Sequence, residues 1–317
     1  MTRNEGESRG QAAYSHNKRA CEWHQVWRKG RVSMKLSRKR KMIGFGLALP
    51  FLCGFVLFYL APFIVSIYYT FTFGNGRNIF VGFQNYISVL SSGAFQLAAY
   101  NTARFILVGV PLLILLSFLL STLINARLKR NAAFKSVFLY PMIVPVAAVV
   151  MIFQIVFAES GLLNSLIPGV CIDWLHSEYA FGVLVLLYIW KNCGYNIILI
   201  TAGLLSIPQD YYLTAELEGA GRRQKFMRIT LPLMMPNLFF VLVISIVNAF
   251  RIFREAYLLA GETPHSSIYM LQHFMNNNFS NLNYQRLSVG AVLIFMVVFL
   301  MLALLFVVLR RRGDYEL

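Results

Sequence analysis

The chain has 317 residues, 58% of them hydrophobic and only 13% charged, with a net charge of +16. A soluble domain carries roughly 45–50% apolar and about 25% charged residues, and a disordered chain is poorer still in apolar side chains, so a polytopic membrane protein is the class that remains. An excess of 29 Lys and Arg over 13 acids would suggest nucleic acid in a soluble protein, but in a membrane protein its placement along the chain is what carries information.

Residues 1–41 hold 12 Lys and Arg among Gly, Ser and Asn, with Trp23 and Trp27. We read them as a basic cytoplasmic tail attracted to anionic membrane lipid rather than an RNA-binding arm, because they abut an apolar span and show no nucleic-acid motif. No short apolar run with a small-residue cleavage site precedes that span, so no removable leader is expected. Six stretches then reach the roughly 20 apolar residues needed to cross a hydrocarbon core of about 30 Å: 42–68, 101–124, 137–157, 181–205, 233–253 and 287–309. The expected fold is all-α with six transmembrane helices. Its expected parts are the tail 1–41, a first helix with an outer loop 42–96, a core 97–310 and a short C-terminus 311–317.

Cytoplasmic connections carry the excess of Lys and Arg. Of the 29 basic residues, 23 fall in four places: the tail, the second connection (Arg127, Lys129, Arg130, Lys135), the fourth (Arg222, Arg223, Lys225, Arg228) and the end (Arg310, Arg311, Arg312). The other connections have almost none, so both termini are predicted cytoplasmic. Pro50, Pro62, Pro141 and Pro145 fall inside spans, where proline is tolerated as a kink.

Enzymatic chemistry finds no foothold. No Gly is followed by Lys, so there is no Walker A loop. The five histidines, His16, His24, His176, His265 and His273, form no HExxH, there is no GxSxG elbow, and Cys21, Cys53, Cys171 and Cys193 make no CxxC pair. No catalytic residue, metal site or bound cofactor is expected.

The fourth connection, 206–236, reads SIPQDYYLTAELEGAGRRQKFMRITLPLMMP. Residues 211–218 favour helix, Gly219, Ala220 and Gly221 allow a sharp turn with positive φ, and helical spacing resumes over 222–230. Pro232 and Pro236 are expected to stop that helix or start the next span. Helix, turn and helix make a rigid knob.

This segment resembles the cytoplasmic EAA loop of permease subunits of ATP-binding-cassette importers, of the type I, MetI-like class. Their pattern is Glu-Ala-Ala, three residues, Gly, nine residues, Ile-x-Leu-Pro. Gly219, nine residues, then Ile229, Thr230, Leu231 and Pro232 fit in full. Glu-Ala-Ala falls on Leu213, Thr214 and Ala215, so the named acid is missing, while Glu218 takes the place of the acid usual before the Gly. Further stretches are similar to the sugar-type members: FVGFQNY at 80–86, Asn101-Thr102, Tyr140-Pro141 with Pro145, GLLN at 161–164, Trp190-Lys191, Gly194-Tyr195-Asn196, and AGLLSIP at 202–208. The outer loop departs, with Ala260-Gly261-Glu262-Thr263-Pro264 where Thr-Gly-Gly-Gly-Pro is usual.

The resemblance implies a permease in the plasma or inner membrane of a prokaryote, forming half of the path for a sugar or sugar-like solute. It implies a second homologous permease, two cytoplasmic ATPase subunits that hold ATP and Mg, and an extracytoplasmic solute-binding protein. Ala215, Glu218, Gly219, Ala220, Gly221, Ile229, Leu231 and Pro232 would then form the contact with the ATPase.

Lys191 lies about ten residues into its span, near mid-membrane at 1.5 Å per residue. A cation there costs about 2.5–3.5 kcal/mol and needs water or a partner. Either it lines the solute path with Asn192 and Asn196, or it pairs with a carbonyl or with an acid on the second permease. Arg251 and Glu255, four apart, are expected to be able to pair on one helix. Both arginines can also simply snorkel to water at the interface, which is the favoured reading of either one alone; against it, Asn248, Phe250, Arg251 and Arg254 lie where a solute would enter, and two arginines suit an anionic group such as phosphate or uronate. Two other classes compete. An ion-driven secondary transporter leaves the loop motif unexplained and shows no inverted repeat, and a membrane-embedded enzyme or sensor would need a buried constellation that the sequence lacks.

Overall fold

A computed structural model describes residues 43–74, 79–127, 144–166 and 172–313. Six helices are long and apolar enough to cross a membrane: Ile43–Thr70, Gly93–Ile124, Val146–Leu166, Ala180–Ser206, Arg222–Ala260 and Tyr284–Val307. Apart from one antiparallel pair, Thr72–Phe73 with Ile79–Phe80, the described chain is helical. The helices are α1 (Ile43–Thr70), α2 (Gln84–Leu90), α3 (Gly93–Arg127), α4 (Val146–Phe157), α5 (Leu162–Leu166), α6 (Ala180–Ser206), α7 (Gln209–Leu217), α8 (Arg222–Lys225), α9 (Leu231–Phe250), α10 (Phe253–Ala260), α11 (Leu271–Ser280) and α12 (Tyr284–Gly313). The chain divides into two units, Met1–Val65 and Ser66–Leu317. The hydrophobic core belongs to the second.

The spans deviate from the expected limits in informative ways. The second begins at Gly93, eight residues early, because α2 ends only two residues before it. The third begins at Val146, capped by Pro145, whose ψ of 136° is extended. The expected start of that span at 137–143, with Pro141, lies outside the described residues, as do the tail 1–41 and Cys171. The fifth runs on from 222 through Pro232 and Pro236, so neither proline stops the helix: Pro232 stands in the first turn of α9, directly after a π turn, and Pro236 lies inside α9. A proline cannot donate to the carbonyl four residues back, and its ring crowds that carbonyl. For Pro232 that carbonyl belongs to Arg228, inside a π turn (Phe226–Thr230) where the Leu231 N–H reaches back five residues to the Phe226 oxygen. Pro62 is treated identically: the π turn Val56–Leu60 contains Phe58, and the Ala61 N–H bonds the Val56 oxygen. The widened turn makes room for the ring.

The largest core cluster joins the second, third, fourth and fifth spans. Phe105 of α3 sits edge-on to Tyr188 of α6, centroids 5.3 Å apart, and both are fully buried. Nearer the 206–236 loop, Ile200 and Ile207 pack on Met234 and Val241. There Gly203 lies so close to the fifth span that a Cβ would fall 2.6 Å from Asn237 Cγ. Small residues permit such helix contacts in membranes.

Several of the family-like stretches prove to be polar staples that close loops. In FVGFQNY, Gly82 turns the chain with φ +58°, the Asn85 amide donates to the Thr70 and Thr72 carbonyls at 3.0 and 2.9 Å, and the Tyr86 hydroxyl donates to Thr70 Oγ1 at 3.0 Å. Asn101 donates to the Ser266 and Tyr269 carbonyls, and Thr102 Oγ1 accepts the Leu271 N–H, so the start of the second span holds the loop before α11. In GLLN, a Cβ on Gly161 would sit 2.7 Å from the Ile155 carbonyl oxygen. Asn164 donates to the Glu159 and Ile172 carbonyls and accepts from Trp174 Nε1.

The layer beyond the fifth span is built around His273, 1% exposed. Its Nδ1 accepts the Met270 N–H at 3.1 Å, which fixes the proton on Nε2, and Phe253 and Tyr269 flank the ring. Burial pushes this imidazole down to about 4 from an ordinary 6.5. The folded layer therefore keeps His273 neutral while the unfolded chain takes up a proton below about pH 6.5. Stability from this site is complete above about pH 6.5, is lost progressively as pH falls toward 4, and falls no further below that. Hydrogen exchange over 269–280, corrected for intrinsic rates, is expected to lose protection across that window, and His273→Asn to flatten the dependence.

Candidate functional site

Two regions hold the candidate residues, the 206–236 loop and the seam between α6 and the α9–α10 arm. In the loop, α7 begins after Pro208 with Asp210 in its first turn, where a carboxylate favours the helix N-terminus. It ends in a Schellman closure: the Gly219 N–H bonds the Glu216 oxygen at 3.0 Å and the Ala220 N–H bonds the Ala215 oxygen at 2.8 Å. Gly219 has φ +77°, a conformation that a Cβ would strain, whereas Gly221 has φ −68° and caps α8 in ordinary extended geometry. Of the three residues expected to supply the turn, Gly219 alone uses positive φ. Ala215 and Gly219, the matches to the last Ala and the Gly of the family pattern, thus belong to one hydrogen-bonded closure.

Two contacts fix α7 against the chain beyond the turn. The Tyr212 hydroxyl and Thr230 Oγ1 lie 2.9 Å apart, and Lys225 Nζ is 3.2 Å from Glu216 Oε2. The second is an exposed pair worth at most about 1 kcal/mol, so the hydroxyl bond and the packing of Ile229 and Tyr212 on the core provide most of the stiffness. Leu231 and Pro232 open α9. Glu218 and Ala220 stand at the turn, Glu218 exposed. The outer face of the knob is apolar: Tyr211, Leu213 and Met227 are more than half exposed and Leu217 is 90% exposed.

The seam gathers most of the candidate path residues. The Tyr188 hydroxyl donates to the Ser245 carbonyl at 2.6 Å, Asn196 donates to Ser245 Oγ at 2.9 Å, and Asn248 donates to Asn192 Oδ1 at 3.1 Å. Lys191 forms an ion pair with Glu255. Glu255 is the acid expected beside Arg251, and the helix geometry explains the difference. The arm breaks at 251–252, where the Arg251 and Ile252 N–H groups bond carbonyls three residues back. Arg251 sits at φ −86°, ψ −1°, so it and Glu255 do not share a regular helix turn. Lys191 therefore finds an acidic partner within its own chain. The Glu255 side chain is 5% exposed and that of Lys191 23%, and among the described residues Glu255 Oε2 has no partner. Gln154 of α4 ties the end of α10 to the third span by donating to the Leu258 and Leu259 carbonyls.

Phe250 is half-buried, Arg251 and Arg254 are exposed, and no hydrogen bond or ion pair of either guanidinium occurs among the described residues. Phe250 and Arg251 border a cleft of about 160 Å³ that also meets the second span, α11 and the sixth span. Sequence reasoning missed Ser245, Tyr188 and Gln154, whose partners lie 49 to 105 residues away in the chain. No local spacing could have paired them. The described residues contain no group of three or more His, Cys, Asp or Glu able to hold a metal.

Comparison with known proteins finds a family model over residues 113–313, described as the binding-protein-dependent transport system inner membrane component. The chain is 31% identical over 242 residues to the trehalose/maltose transport system permease protein MalF of Thermococcus litoralis, covering 74% of this chain and 82% of that one. It is 33% identical over 220 residues to the arabinooligosaccharides transport system permease protein AraP of Bacillus subtilis, covering 66% and 69%. In fold it is similar to a chain of a bacterial alginate ABC transporter solved with an alginate pentasaccharide-bound periplasmic protein. That match has a TM-score of 0.73 and 19% identity over 84% of this chain and 93% of that one.

Lys191→Met is expected to destabilise the protein by about 3 kcal/mol, since it strands a buried carboxylate, and Lys191→Met with Glu255→Gln to recover most of the loss. Thermal unfolding of the two variants in detergent checks this. Gly219→Ala has open space for its methyl group but holds it at positive φ, at a cost of about 1 kcal/mol. Hydrogen exchange of the amides at positions 219 and 220 is expected to speed up about fivefold in that variant.

Proposed function

The chain belongs to the family of inner membrane components of binding-protein-dependent transport systems, and we propose that it forms one half of the translocation path of an importer for a sugar or oligosaccharide. The solute class is supported by the relatives, of which one is named for trehalose and maltose and another for arabinooligosaccharides. A second permease of the same fold forms the other half, two ATPase subunits bind ATP and Mg on the cytoplasmic side, and a binding protein delivers solute from outside. Both termini and the 206–236 loop face the cytoplasm, as the distribution of Lys and Arg favours.

The observation that carries this reading is the build of the loop. It is closed at Gly219, tied at Tyr212–Thr230, continuous with the fifth span, and apolar on its outer face. A side chain such as Leu217, 90% exposed, contributes nothing to this chain's own packing, and an exposed apolar patch outside the spans marks a protein contact. The knob seats in an ATPase groove. When the ATPases close on ATP, displacement of the knob passes along the unbroken helix into the fifth span, where the Lys191–Glu255 pair and the Ser245 bonds carry it to the fourth. Rigid-body transfer of this kind fails through a slack loop.

Leu217→Asp in the assembled importer tests the reading. Because Leu217 is exposed, insertion and the thermal stability of this chain are expected to hold, while co-purifying ATPase and solute uptake fall at least tenfold. Undiminished uptake, or labelling of a cysteine at 217 only from the outer side, would overturn the proposal.

A further inference from the structure

Resting on the sugar-importer reading, we infer that the solute carries an anionic group, a carboxylate, sulfonate or phosphate on a sugar ring, and that Arg251 receives it. Charge is the first ground. Within the arm that ends the fifth span stand Arg251, Arg254 and Glu255, and Lys191 of the fourth span pairs with Glu255. Glu255 is engaged by Lys191, and the break at 251–252 takes Arg251 out of helical register with it. Glu262, the next acid along the chain, accepts the Tyr257 hydroxyl at 3.1 Å. The two guanidinium groups are thus left without a counter-charge among the described residues, exposed at the end of a membrane span where their charge stays open to water and to an incoming anion.

Arg251 borders a cleft whose other walls suit a sugar. Phe250, Met270 and Ile294 present apolar surface for ring faces, and Gln272, which makes no side-chain hydrogen bond among the described residues, offers an amide to hydroxyls. Thr102 is already engaged, donating to the Ala98 carbonyl and accepting the Leu271 N–H. At about 160 Å³ the cleft is smaller than the roughly 300–1,000 Å³ of a complete ligand pocket, so it holds one ring of an oligosaccharide. A guanidinium fork matches a planar carboxylate through two parallel hydrogen bonds, a geometry that lysine lacks. Neutral sugars would leave the arginine unsatisfied, and that difference is a source of selectivity.

The test uses the complete importer with its binding protein in proteoliposomes, and a panel of two- to four-ring oligosaccharides, each offered as the neutral form and as its C6 uronate. Wild type is expected to import uronates at least tenfold faster than their neutral partners. Arg251→Gln is expected to remove that preference and Arg251→Lys to restore part of it. Equal import of both forms, unchanged by Arg251→Gln, overturns the anionic assignment while leaving the sugar-importer reading intact, and import of neither form overturns both. Loss of the second permease on purification of Arg251→Gln would assign the arginine to an acid on that subunit instead. If Arg251→Gln retains the uronate preference but releases bound anionic phospholipid, the guanidinium serves a lipid phosphate, and the proposal fails.

Discussion

A hydrocarbon environment offers no water to a stranded polar atom, so polar side chains within the spans are driven to find partners inside the protein. The α6–α9 seam is where this constraint shapes the molecule. Tyr188, Asn196 and Ser245 close one set of hydrogen bonds and Asn192 and Asn248 another, while Lys191 and Glu255 neutralise each other. These bonds fix the rotation of the fifth span about its axis in a way that interchangeable apolar contacts cannot. The orientation of α10, the position of Arg251 and the bearing of the 206–236 knob all depend on that rotation.

The same constraint governs the loops. Asn85, Asn101 and Asn164 each donate to two backbone carbonyls and so bring a connection back to a span end. A single amide replaces a short sheet ladder. These family-like stretches therefore record backbone satisfaction at loop closures as well as membership of a family. The positions of Gly82, Gly161 and Gly203 obey the same logic, because each marks a positive φ or an approach too close for a Cβ.

Much of the architecture is legible in the sequence because hydrophobic length is a local property. All six spans can be read there, as can the turn at Gly219, whose residue type announces its conformation. The fate of the prolines cannot. Pro232 looks like a stop signal until one sees the π turn that accommodates it, and nothing in FMRIT announces a π turn. The seam is hidden for another reason. Lys191 is recognisable as a cation in need of a partner, but Glu255 is 64 residues away and also lies at a tempting four-residue spacing from Arg251. Local spacing favours the wrong pair because it assumes an unbroken helix, and the break at Arg251 depends on tertiary packing.

The π turn at 226–230 has a geometric meaning beyond housing a proline. Such a turn amounts to one surplus residue spliced into an α-helix, and each α residue advances the azimuth by about 100°. Shortening FMRIT by one residue would restore regular winding and swing the whole 206–236 knob about that far around the fifth helix, pointing Leu213 and Leu217 away from their present bearing. The angular phase between the 206–236 knob and the fifth span is therefore set by the length of one five-residue turn, which lies inside the stretch between Gly219 and Pro232 whose spacing matches the family pattern in full.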